Sequence, residues 1–199
     1  MISKEAIKRG YNRGNYTVGA HTRPAWATDI TRSGGAKGMQ VDPVAISEAT
    51  FDRLRVIADE VLTSEADVIS WTRDWWAGSM IAETQGAPAT SKGVIVRVST
   101  VEQIQDVIRL ASESAIPVTV SAGRSNVTGA ALPLRGGIVL DVCELNKFID
   151  FDPQSQIVEV EAGMFGDVFE QTIQKEYGMT MGHWPSSFGI STVGGWVAC

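Results

Sequence analysis

The chain has 199 residues, 44% of them hydrophobic, and a formal net charge of −6. That length suits one large domain or two small ones with a real core, and the acidic balance argues against a nucleic-acid partner held by a global basic field. No apolar run approaches the roughly 20 residues of a membrane span, and the opening residues lack the apolar core of a secretory signal. Residues 1–45 are basic and broken by glycines such as Gly10, Gly14 and Gly34 and by Pro24 and Pro43. With Tyr11, Tyr16 and Trp26 among them, they read as an extended arm that packs on something when ordered. Ser47 opens a predicted helix whose apolar stripe runs Phe51, Leu54, Ile57, Ala58, Val61, Leu62. Thr63 and Ser64 end it or start a second short one. Val68 to Trp71 is apolar, and Gly78 to Lys92 reads as loop, so residues 46–90 form a helical N-terminal region.

The texture changes at Gly93, which places a domain boundary near Ser91. Val94 to Val98 is a β-branched run of strand type. Ser99 and Thr100, each with Glu102 or Gln103 three residues on, signal a capped helix striped by Val101, Ile104, Val107, Ile108 and Ala111. Ile116 to Ser121 is a second strand, so strand, helix and strand read as a crossover with parallel neighbours. Ile138 to Val142 is a third strand. Phe148 to Phe151 and Ile157 to Glu161 pair around Asp152 and Pro153, and a helix from about Phe165 to Tyr177 stops at Gly178. Met179 to Met181 reads as a short strand into the final segment.

Two loops carry the chemistry. The first, from Ala122 to Gly137, follows a strand and is built of small residues that let backbone N–H groups converge on an anion. Ser125, Asn126 and Thr128 add side-chain donors. It lacks the Gly-Lys-Ser/Thr ending of a P-loop and the glycine spacing of the dinucleotide fingerprint. The second, from Gly182 to Cys199, mixes Ser186, Ser187, Ser191 and Thr192 with Gly194 and Gly195 around Trp184, Phe188 and Trp196. Two such loops suit a long ligand with a polar spine. Cys143 reads as a small core residue in a reduced cytosolic chain, and Trp75 and Trp76 as packing residues.

Residues 91–199 resemble the FAD-binding domain of the vanillyl-alcohol oxidase and p-cresol methylhydroxylase (PCMH) superfamily, and most nearly the alkyldihydroxyacetonephosphate synthases and related FAD-linked oxidases. The likeness rests on VIVRVSTVEQIQDVIRLASESAIPV, on the first loop, on Val160-Glu161-Ala162-Gly163, and on Gly182 to Trp196. It implies an α+β fold of FAD-binding PCMH type, containing a βαβ subdomain and the start of a second subdomain. It also implies FAD held without a covalent bond, since no histidine stands in the first loop. Carried over by position, the first loop contributes Val120, Ser121, Ala122, Gly123, Arg124, Ser125, Asn126 and Val127 to the cofactor. The second contributes Pro185, Ser186, Ser187, Ile190, Ser191, Thr192, Gly194 and Gly195. Ala122 and Arg124 stand where the family has glycine, and Arg124 is expected to point outward or toward the rim. His183 either orients its loop or touches the flavin. The resemblance implies an oxidoreductase acting on a C–H next to oxygen, or a synthase of ether-lipid type in which Ser186 replaces an aspartate-like position. No catalytic residue is assigned, because the family's substrate domain lies beyond residue 199. That domain would take a small molecule or lipid precursor. A homodimer and a cytoplasmic location, or a peroxisomal one for a eukaryotic ether-lipid synthase, complete the expectation. A non-catalytic nucleotide-binding module is the reading from another class.

Overall fold

A computed structural model describes residues 43–84 and 93–198. The N-terminal arm up to residue 42 and the segment 85–92 lie outside the described residues. Helix α1 (Glu48–Ile57) starts at Ser47, whose hydroxyl accepts from the Thr50 N–H at 3.2 Å. It ends sooner than its apolar stripe suggests. Val61 and Leu62 leave the helix to form strand β1 (Glu60–Leu62). Ser64 caps helix α2 (Glu65–Trp71), and helix α3 (Ala77–Thr84) stands where a loop was predicted.

Strand β2 (Val94–Arg97) is followed by helix α4 (Val101–Glu113), capped by the predicted Thr100–Gln103 box. Strands β3 (Val118–Ser121) and β4 (Ile138–Asp141) complete a four-stranded sheet of order β1-β2-β4-β3. β2, β4 and β3 run parallel and β1 is antiparallel to β2. The predicted crossover is therefore parallel, but its strands are not neighbours. β4, buried at all four positions, takes the central place between them. Its apolar run Ile138-Val139-Leu140 is what a strand covered on both faces requires.

One face of the sheet packs Val94, Val96, Ile138 and Leu140 against Leu54 of α1 and Val107, Leu110 and Ala111 of α4. Val101 and Ile108, placed on the predicted stripe, are largely exposed, while Leu110, outside it, is buried. The opposite face is thinner, with Ile95 and Val139 under Trp71. Residues 47–62 are thus built into the same sheet and core as residues 93–142.

Strands β5 (Phe148–Asp152) and β6 (Ile157–Val160) form an antiparallel hairpin that carries helix α5 (Gly166–Tyr177). Its small core is Met164, Phe169 and Ile173. Gly178 ends α5 in the left-handed region, φ 66°. Residues 179–181 form no strand. The Met181 N–H instead donates to the buried Glu170 carboxylate at 3.0 Å, and the Thr180 hydroxyl donates to the same group at 2.6 Å. The last element is a short helix, α6 (Val193–Ala198).

Candidate functional site

The first loop leaves the carboxyl end of β3, next to the end of β4. Open parallel sheets bind ligands at this end of their strands. Asn126 shapes the loop: its Oδ1 accepts from Thr128 N at 3.2 Å, Thr128 Oγ1 at 3.2 Å and Ala130 N at 3.1 Å. These two side chains therefore serve the loop itself. The Asn126 carbonyl in turn accepts from Trp75 N at 3.0 Å, which holds the segment after α2 against the loop. Among the described residues no hydrogen bond uses the backbone N–H of Gly123, Arg124, Ser125 or Asn126.

The second loop is pinned from below. Gly166 N donates to Ser191 O at 3.0 Å, Val193 N to Met164 O at 2.8 Å and Gly194 N to Ala162 O at 2.9 Å. Ser191 Oγ donates to Ser187 O at 2.9 Å and accepts from Trp196 Nε1 at 2.6 Å. Its hydroxyl is a fastener within the loop. Phe188 stacks on Trp196 with centroids 6.2 Å apart, and His183 meets the same indole edge-on at 5.6 Å. The turn at Gly163 links this assembly to the sheet, with Gly163 N donating to Leu145 O at 2.7 Å. A methyl there would run into the Val142 and Leu145 carbonyls, so Val160-Glu161-Ala162-Gly163 ends in glycine for lack of room.

The two loops touch. A methyl on Gly123 would overlap the carbonyl oxygen of Ile190 and come within 3.1 Å of Ser191 Cα. Around this contact both loops border one cleft of about 540 Å³. Its lining includes Val120 to Asn126 without a break, and Pro185, Ser187, Thr192, Gly194 and Gly195. Val127, Ser186, Ile190 and Ser191, predicted with them, do not line it; Val127 and Ser186 are exposed and Ile190 backs onto Gly123. The cleft also takes in Ala130, Ala131, Val142, Ala162, His183, Trp196 and Ala198. Ala130, Ala131 and Ala162 lie in segments the sequence had singled out, but not as cleft-lining residues. Only folding brings them to one wall.

Arg124 corrects the expectation of an outward side chain. It is 5% exposed, and its guanidinium lies 3.9 Å over the Trp71 ring. Its φ of 53° falls in the left-handed region, which is why glycine suits this position and why any other residue here is strained. Arg97 stacks on Trp71 as well, at 4.8 Å, and its Nε donates to the fully buried Asp141 at 3.3 Å. Burial pushes the Asp141 pKa up to about 6, against the pull of the Cys143 N–H and the charges of Arg124 and Arg97. Burial likewise lowers the Arg124 pKa from its ordinary value; Cys143 and Asp141 oppose this, while Arg73 and Arg97 add like-charge repulsion. Two further polar atoms are buried without partners among the described residues, Ser121 Oγ in the cleft wall and Asp74 Oδ2 next to Trp75 in sequence.

Similarity to known proteins agrees with this geometry. The alkyldihydroxyacetonephosphate synthase of Dictyostelium discoideum is 24% identical over 195 residues, which is 96% of this chain and 32% of that protein. The 4-cresol dehydrogenase [hydroxylating] flavoprotein subunit of Pseudomonas putida is 38% identical over 85 residues, 41% of this chain and 16% of the relative. Among solved structures, an alkyldihydroxyacetonephosphate synthase superposes with a TM-score of 0.72 at 24% identity, over 82% of this chain and 32% of the other. p-Cresol methylhydroxylase with substrate bound superposes with a TM-score of 0.60 at 23% identity, over 76% and 30%. The chain thus spans a third or less of the length of these relatives. Residues 93–199, more than half of the chain, match the family described as FAD binding domain, and the chain belongs to that family.

Proposed function

We propose that the cleft between the loops holds FAD without a covalent bond, and that the chain is the cofactor-binding portion of a flavin-dependent oxidoreductase acting on a C–H next to oxygen. One observation carries the reading: two loops far apart in sequence border a single cleft at the carboxyl ends of β3 and β4. The residues fit the group. The open N–H groups of Gly123 to Asn126 suit a diphosphate. Gly194 and Gly195 leave room for a flat ring beside Trp196, and Ala130, Ala131 and Ala162 keep the walls apolar and close. A bound flavin would supply the redox chemistry, and the loops of this chain would bind and orient it.

The test is direct. Purified chain is examined for flavin absorbance and, if colourless, titrated with FAD. Saturable uptake that is released on denaturation supports noncovalent binding. Failure to take up FAD favours a module for another ligand, and colour that stays with denatured protein overturns the noncovalent part.

The similarity to the Dictyostelium synthase, which runs over nearly the whole chain, favours a second reading as a synthase-like transferase of ether-lipid type. The full encoded polypeptide distinguishes the two. Anaerobic bleaching of the flavin by a 2-hydroxy acid or a 4-alkylphenol marks the oxidoreductase. Exchange on an acyl dihydroxyacetone phosphate without net bleaching marks the synthase. The substrate is a small molecule or lipid precursor in either case. No helix among the described residues is long and apolar enough to cross a membrane. A cytoplasmic homodimer, or a peroxisomal one for a eukaryotic synthase, is the assembly to test by fractionation and sizing.

A further inference from the structure

We infer that Arg124 is the cation with which the cleft selects a phosphate-bearing ligand, its guanidinium buried behind the first loop as a fixed positive charge for the diphosphate. The inference rests on the FAD reading and assigns a discriminating residue within it. Three observations carry it. Arg124 is 5% exposed and borders the cleft, yet its Nε and Nη1 have no hydrogen-bond partner among the described residues. An arginine stays protonated, so these are charged donors left unanswered, an arrangement that costs stability unless a ligand completes it. The carboxylate that could answer them, Asp141, is engaged by Arg97 Nε, and Arg97 is also paired with Glu60. Finally, the residue sits at φ 53°, where glycine would be free of strain. Strain of this kind persists where the surroundings hold it, and it collects at ligand clamps.

Trp71 completes the device. The indole lies under the guanidinium at 3.9 Å, a contact that favours its buried position. Glycine at this position would offer the ligand only backbone N–H groups. Arginine adds a charge to them, and that charge bears on the phosphates and not on the uncharged isoalloxazine. The consequence is a preference for FAD over riboflavin that this side chain strengthens beyond what the backbone N–H groups supply.

The experiment compares wild type with R124M and R124K for binding of FAD, riboflavin and inorganic pyrophosphate, read by tryptophan and flavin fluorescence, with thermal unfolding as the check on folding. R124M should bind FAD about 10- to 100-fold more weakly, the worth of a charge-assisted hydrogen bond, with riboflavin affinity unchanged. R124K, which keeps the charge, should recover most of the loss, and pyrophosphate binding should be lost in R124M alone. Unchanged FAD affinity in folded R124M overturns the inference, as does an equal loss for FAD and riboflavin. If R124M does not fold, failure of folded R124K to prefer FAD over riboflavin overturns it. A wild type that binds pyrophosphate through Arg124 but not FAD retains the cation and discards the flavin. A wild type that binds neither overturns both.

Discussion

Substituting Gly123 with alanine tests the contact on which the cleft depends. The new methyl would overlap Ile190 O and stand 3.1 Å from Ser191 Cα and 3.3 Å from the Ile190 carbonyl carbon. All three are backbone atoms, so no side-chain rotation relieves the clash. The opposing segment is also held in place: Ile190 N and Ser191 N both donate to Ser187 O, at 2.8 and 2.9 Å, and Ser191 O accepts from Gly166. To restore ordinary contact the loops must part by about 1 Å. Overpacking of this kind costs about 1–3 kcal/mol, and the parting widens the gap where the ligand would be gripped. In urea, with a denaturant slope of about 2 kcal/mol per molar, the unfolding midpoint should fall by roughly 0.5–1.5 M. FAD affinity should fall at least about tenfold, since misplaced donors lose their hydrogen bonds. The result that refutes the reasoning is a G123A protein within about 0.5 kcal/mol of wild type with unchanged FAD affinity. That outcome would mean the two loops do not meet at Gly123.

Gly195→Ala separates binding from folding: its methyl meets only Thr192 Oγ1 at 3.3 Å, and alanine favours the helix, so stability should hold or rise by up to about 1 kcal/mol while FAD affinity falls on titration. Glu170→Gln should cost about 1–3 kcal/mol in denaturant unfolding, because the carboxylate takes hydrogen bonds from Gln174, Thr180 and Met181 that an amide cannot all accept. Asp141 sets a pH dependence: its folded pKa of about 6 lies above the ordinary 3.8, so the folded state holds the proton more firmly. The stability this provides is complete below about pH 4 and is lost as pH rises through 6, a change of about 3 kcal/mol. Unfolding curves of wild type and D141N taken from pH 4 to 8 should therefore diverge between 4 and 6 and run parallel above 7; curves parallel throughout would contradict it.

What the sequence disclosed was mostly local. The Thr100–Gln103 box, the hairpin around Asp152 and Pro153 and the stop at Gly178 are each decided by a few neighbouring residues, and each stands where it was read. Non-local choices were not legible. Val61 and Leu62 continue a helical stripe, yet the edge of β2 offers them hydrogen bonds and they become β1. β4 enters between β2 and β3 because its run of four buried residues needs cover on both faces, a requirement that no spacing between β2 and β3 records. Within the site, the loop glycines and hydroxyls announced themselves, but their division of labour did not. Ser191 serves Trp196 and Ser187 rather than the cleft, because the hydroxyl is within 2.6 Å of the indole once α6 forms.

Arg124 shows why position in a motif does not give direction of a side chain. Judged from the loop alone, a long cation on a glycine-rich turn belongs at the rim, where water solvates it. What draws it inward is an aromatic residue more than fifty positions earlier, on α2, lying over the thinner face of the sheet. On that face Trp71 packs with Ile95, Val139 and Leu62, and the guanidinium of Arg124 lies over its ring. The same placement brings Arg97 and Asp141 into one buried cluster at the ends of β2 and β4, beside the open N–H groups of the first loop. Two sources of positive charge thereby border the cleft, the backbone N–H groups and the buried Arg124. The second source exists only because a helix outside the FAD-binding match folds onto the sheet.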